Sequence, residues 1–122
     1  MRMNPDTQTD CIFCKIASRA IPTPLMYEDE EIVAFSDINP QAPHHLLVIP
    51  RRHFSDVGDA ARAGETELLG RLVSVATTLS VKRGFDQTGY RLIVNTGRDG
   101  GQTVKHLHLH ILAGRPCGWP PG

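Results

Sequence analysis

No stretch of the chain approaches the ~18 consecutive apolar residues that a membrane-spanning helix requires. Nor is there an excess of either charge: 13 Lys and Arg stand against 13 Asp and Glu. Proteins that grip nucleic acid do so through a broad cationic face, so zero net charge speaks against that class of partner. A small phosphorylated ligand needs only a few local donors and stays open. Cysteine is scarce: Cys11, Cys14 and Cys117 are too few, and odd in number, for a disulfide framework. The opening residues, MRMNPDTQTD, lack the apolar stretch of a secretory signal, so a cytoplasmic location is expected. No internal repeat occurs.

What remains is enough for one domain. Of 122 residues, 40% are hydrophobic and 21% charged, which supplies one core and is too apolar for a disordered chain. Residues 1–10 read as a loose tail and 11–122 as a single domain. CIFCKIAS, 11–18, predicts a short helix with Ile12, Phe13 and Ile16 on one side, ended by Pro22 and Pro24. EIVAFSD (31–37), HLLVIP (45–50), YRLIVNT (90–96) and 104–112 read as strands, with a Pro-containing loop at 38–44 and a turn at 97–101. Residues 64–83 carry Leu68, Leu69, Leu72, Val73, Val75, Ala76 and Leu79 at helical spacing, with Gly84 where a helix stop belongs. The order predicts an α+β fold on an antiparallel sheet.

The chemistry concentrates in HLHLHIL, 106–112. Half of the six histidines, His106, His108 and His110, fall on alternate residues of one segment. In a strand they share one face, and Leu107, Leu109 and Ile111 share the other, which packs on the long helix. Any single histidine is ordinarily a surface or satisfied residue; three in alternation ask for a reason. The first and third Cα atoms would lie ~13 Å apart, so all three cannot easily reach one metal ion. A division of roles follows: an imidazole is a good nucleophile near neutral pH, and a row of them suits attack on phosphorus. NTGRDGGQT, 95–103, stands just before, where its glycines could let backbone approach a phosphate or simply form a hairpin turn. Cys11-x-x-Cys14 has metal-ligand spacing, but two buried cysteines on one helical turn give the same pattern. Cys117 has no evident partner.

HLHLHIL has the form His-x-His-x-His-x-x with apolar x, and resembles the signature of the histidine-triad family. FSDINPQAPHHLLVIPRRH, 35–53, is similar to that family's nucleotide-binding strand and loop, and the tail WPPG, 119–122, to its Hint branch, the nucleoside phosphoramidases. The resemblance spans 11–122. It implies a five-stranded antiparallel sheet with one long and one short helix, and a homodimer whose two sheets join. It implies hydrolysis of purine nucleoside 5′-phosphoramidates through a nucleotidyl-histidine. His108 matches the nucleophile; His110 and His45 match groups holding phosphate oxygens. Gln102 and Thr103 match groups beside the leaving group, with Gly101 in the same cradle. Asn95 matches a pocket residue, and Asp37 the carboxylate that takes the ribose hydroxyls. Ile12, Phe13, Phe35 and Ile38 match the slot for the base. Some members bind a structural zinc through residues matching Cys11, Cys14, His53 and His106. His44, Ser36 and Lys105 depart from the familiar pattern and bear on the leaving group. Rival readings are a dinucleoside polyphosphate hydrolase, against which the WPPG tail speaks, a nucleotidyl transferase, a catalytic zinc hydrolase, and a non-enzymatic nucleotide-binding protein.

Overall fold

The computed structural model describes residues 10–122; the expected tail therefore lies, but for Asp10, outside the described residues. The elements are α1 (Ile12–Ala17), β1 (Leu25–Glu28), β2 (Ile32–Ser36), β3 (His44–Pro50), α2 (Val57–Arg62), α3 (Thr66–Lys82), a 3₁₀ turn at Phe85–Gln87, β4 (Tyr90–Ile93) and β5 (Leu109–Ala113). The strands form one antiparallel sheet in the order β1-β2-β3-β5-β4.

Alternation along the central strands buries both faces of the sheet. Ile32 and Ala34 of β2, Leu46 and Val48 of β3, and Leu109 and Ile111 of β5 face α3, where Leu68, Leu72, Val75, Ala76 and Leu79 meet them. Val33, Phe35, Leu47 and Ile49 point to the other face, under Phe13, Ile16 and Ala17 of α1. Full burial of a side chain such as Ile111 contributes roughly 1.5–3 kcal/mol. Gly84 ends the long helix in the left-handed region, φ 77°, as its position predicted.

Four differences from the sequence reading have physical causes. β1 was not legible: LMYE is a half-buried edge strand whose register slips between Leu25 and Tyr27. α2 adds a second short helix. It has little apolar content and is started instead by Asp56, which accepts the Asp59 N–H at 2.8 Å. Val73, assigned to the helix stripe, lies on its outer flank, 49% exposed. The last strand begins at Leu109, not 104. Its partner β3 ends on Pro50, which has no N–H, and the Pro50 carbonyl is taken by the His106 ring at 2.8 Å. The Leu107 N–H turns to Phe54 O at 2.7 Å. His106 and His108 thus precede the ladder, and only His110 lies in it. No helix among the described residues is long and apolar enough to cross a membrane.

Candidate active site

A cavity of about 640 Å³ opens on the α1 face of the sheet. Phe13 and Phe35, edge to face with centroids 5.6 Å apart, form its apolar floor. Ile12 and Ile38 stand at its rim, 46% and 95% exposed. Asp37, His45, Asn95, Gly101, Thr103, His108 and His110 supply the polar part. Eleven of the predicted pocket residues thus converge; Gln102 does not line the cavity. Its side chain donates to Ser55 O (2.7 Å) and Val104 O (3.0 Å) and accepts from the Gly97 N–H (3.0 Å). It braces the glycine loop, while Asn95 ties the same loop through Gly100 O at 2.7 Å. Val104, Ile21 and Thr23 also line the cavity, and only tertiary packing brings them there.

Carbonyl and amide partners fix which nitrogen of each ring carries a proton. A carbonyl only accepts, so His108 Nδ1, 2.6 Å from His106 O, carries a proton. Nε2 is then its free lone pair. His106 Nε2 donates to Pro50 O, and its Nδ1 is the free nitrogen. His45 Nδ1 faces the Gln41 backbone N–H at 3.0 Å and must accept, so its proton sits on Nε2, 2.8 Å from His110 Nδ1. His110 in turn keeps its proton on Nε2. Asp37 Oδ2 lies 3.4 Å from His45 Nε2, and Oδ1 accepts the Asn39 N–H at 2.9 Å. Burial, joined by the neighbouring His108 and His45 rings and opposed by Asp37, pushes His110 down to about 4. Burial also lowers His45, against the pull of Asp37. Both rings are neutral at physiological pH.

A second cluster lies below α1. Cys11, Cys14, His53 and His106 offer ligand atoms within 4.8 Å of one another. Cys11 caps α1 and accepts the Cys14 N–H through sulfur at 3.3 Å, which pins the two thiols side by side. The His106 Nδ1 lone pair faces Cys11 Sγ at 3.3 Å and Cys14 Sγ at 3.5 Å, and His53 Nδ1 lies 3.4 Å from Cys14 Sγ. A tetrahedral zinc with Zn–S of ~2.3 Å and Zn–N of ~2.0–2.1 Å has S···N edges of ~3.6 Å. The cluster fits that ion, and His106 donating to Pro50 O is the outer hydrogen bond that orients a metal-bound imidazole. Burial lowers His106 to about 4, which keeps the ring available as a neutral ligand.

Of the three unusual positions, Ser36 lines the cavity. His44 faces the opposite side of the sheet and stacks on Phe85, centroids 4.9 Å apart, so the expectation that it bears on the leaving group is corrected. Lys105 is exposed and is not part of the cavity wall.

An antiparallel sheet whose imidazoles gather at an apolar cavity is the architecture that the histidine motif implied. The HIT domain family model matches residues 18–117, and the chain belongs to the histidine-triad family. It is 46% identical over 109 residues to a purine nucleoside phosphoramidase of Escherichia coli, covering 89% of this chain and 91% of that one. A HIT family hydrolase from Legionella pneumophila superposes with a TM-score of 0.88 at 46% identity, over 93% of this chain and all of the other. A histidine triad protein from Clostridium difficile gives 0.85 at 48% identity, over 89% and 94%.

Proposed function

We propose that the protein is a hydrolase of purine nucleoside 5′-phosphoramidates, with His108 as nucleophile. The observation that carries the mechanism is the His108 Nδ1–H bond to His106 O, which commits the lone pair to Nε2. The similarity to the purine nucleoside phosphoramidase of Escherichia coli supports the substrate class.

In the first displacement His108 Nε2 bonds to phosphorus and the P–N bond breaks, the departing nitrogen taking a proton from solvent to leave as the neutral amine. The phosphorylated ring becomes cationic, and the His106 carbonyl on Nδ1–H stabilises that charge. Water then attacks phosphorus, the P–Nε2 bond breaks, and a nucleoside monophosphate departs from a restored neutral His108. His110, through its Nε2–H, and Thr103 donate to the phosphoryl oxygens, where the charge develops. Asp37 takes the ribose hydroxyls, and the base slides between Phe13, Phe35, Ile12 and Ile38. Asn95, Gly101 and Gln102 shape the leaving-group loop, Gln102 by holding it from behind.

Zinc is the metal that the Cys11, Cys14, His53 and His106 set suits. When bound it supplies structure, since four protein ligands leave no open position for chemistry. His106 thereby serves the clip while its carbonyl serves His108.

A homodimer is supported by one edge of the molecule. Among the described residues β4, like β1 at the other edge, has a partner on one side only. Arg71, Thr78 and Lys82 border β1, so the flank of α3 with exposed Val73, about half a turn round the helix from them, lies toward β4. A second copy added at β4 would pair its open backbone and cover that flank. Reduced cysteines and the absence of a long apolar helix among the described residues agree with a cytoplasmic enzyme.

Release of AMP from adenosine 5′-phosphoramidate tests the activity. A purified protein that binds AMP but cleaves none of a series of phosphoramidates overturns it.

A further inference from the structure

His45 has no nitrogen free for a ligand. The Gln41 backbone N–H points at Nδ1 from 3.0 Å, and a main-chain amide only donates. Gln41 is itself held from two sides: Arg115 Nε donates to its carbonyl at 3.0 Å, and its side chain donates to Asn39 O at 3.1 Å. The single proton of His45 therefore sits on Nε2 and is aimed at His110 Nδ1, 2.8 Å away. Two rings inherit their tautomers from one peptide group.

We propose that the Gln41 main-chain N–H is a protonation lock, holding His45 and His110 neutral so that His110 presents a fixed Nε2–H donor to the ligand's phosphoryl oxygens. His45 and Gln41 are then positioning residues, not phosphate ligands. A cationic His45 would need a proton on Nδ1, against the Gln41 N–H. A cationic His110 would need one on Nδ1, against the His45 Nε2–H. The charged and titratable groups facing the pair are Asp37, 3.4 Å from His45 Nε2, and His108, whose ring lies 4.9 Å from that of His110. Asp37 favours a cation; His108 and burial oppose it. A neutral donor of fixed direction does not vary with pH and needs no reorganisation as charge develops on the phosphoryl oxygens. The lock also argues against a second metal at Asp37, His45 and His110, whose ligand atoms lie within 4.8 Å. A metal on His45 Nε2 would force the ring proton onto Nδ1, where the Gln41 N–H already points.

The proposal rests on the phosphoryl-transfer reading only for what His110 meets, and the test is independent of turnover. Side-chain ¹⁵N resonances of the full chain as purified report tautomer and charge without substrate. Both rings should be Nε2–H tautomers and neutral at about pH 7, and His110 should stay neutral down to about pH 5. An Nδ1–H tautomer in either ring, an imidazolium as the main form of either at about pH 7, or one in His110 above about pH 5 overturns the lock even if hydrolysis stands. Gln41→Pro removes the N–H; the His45 midpoint should rise by at least about one pH unit, and an acid limb in kcat should appear with it. An unchanged midpoint overturns the proposal. Should Gln41→Pro fail to fold, His45 variants decide. His45→Gln keeps an amide donor for His110 and an oxygen for Gln41, and should hold kcat within ~10-fold, while His45→Leu loses ~10²-fold. Equal losses overturn it.

Discussion

An imidazole has two nitrogens, and here the partner of one decides what the other can do. His106 and His108 are two residues apart, yet His106 is bound through Nε2 to Pro50 and His108 through Nδ1 to His106. One presents Nδ1 toward sulfur; the other keeps Nε2 for the cavity. His108→Ala should therefore lower kcat/KM by on the order of 10⁴-fold, while calorimetric AMP affinity stays within a few-fold. Substantial residual turnover would move the nucleophile elsewhere. His110 allows a second prediction, on stability. Its folded value, about 4, lies below the ordinary ~6.5, so the unfolded chain takes up the proton first as pH falls. Its contribution is intact above ~pH 6.5, erodes between ~6.5 and about 4, and levels off below. Urea midpoints against pH, for wild type and His110→Gln, should show a shallower acid slope in the variant; equal slopes would contradict the shift. The motif itself was legible, because three alternating histidines have few uses. The partners were not: Pro50 and Gln41 lie 56 and 4 residues from the rings they fix, and both act through backbone groups that carry no sequence signal.

At the scale of elements, α1 is the least self-sufficient. Six residues form fewer than two turns, too short to be stable alone. Phe13, Ile16 and Ala17 anchor it to the sheet, and the Cys11, Cys14, His53 and His106 cluster joins it to the segments after β3 and before β5. A bound ion there links three distant stretches of chain, so its removal should loosen the floor of the cavity as well as the helix. Protein purified without added metal should carry about one zinc per chain. Cys11→Ser with Cys14→Ser should remove it and lower Tm by on the order of 10 °C. An unchanged metal content would place the ion elsewhere; metal-free wild type would leave the cysteines as core residues. The long helix and the central strands β2 and β3 were legible because strong periodicity coincided with strong burial. β1 and α2 were not, since a ragged edge strand and a helix begun by an aspartate cap bury too little to leave a period.

At the scale of the whole molecule, the tail and the open edge belong together. Trp119 is the chain's only tryptophan and stands 85% exposed, an unusual place for a large aromatic without a packing partner. The segment that carries it is tethered: Arg91 of β4 donates to Gly118 O at 2.7 Å. β4 is one of the two open edges of the described sheet, and exposed Val73 of α3 lies on its side. A copy that pairs at β4 would meet the tail, cover Trp119, and bring the tail toward its own cavity. Two variants separate the surfaces. Val73→Glu should shift the protein to monomer in sedimentation velocity, because it buries a charge against the partner; an unaltered dimer would exclude that flank from the interface. Deleting 117–122 should leave the dimer intact, since the strand edge and helix flank remain, and should leave His108 chemistry intact for the smallest leaving group. It should change the ranking of kcat/KM across phosphoramidates of increasing amine size, because in that arrangement the partner's tail would stand beside the leaving group. An unchanged ranking would deny the tail its role in the site, and a monomeric full-length protein would remove the arrangement altogether.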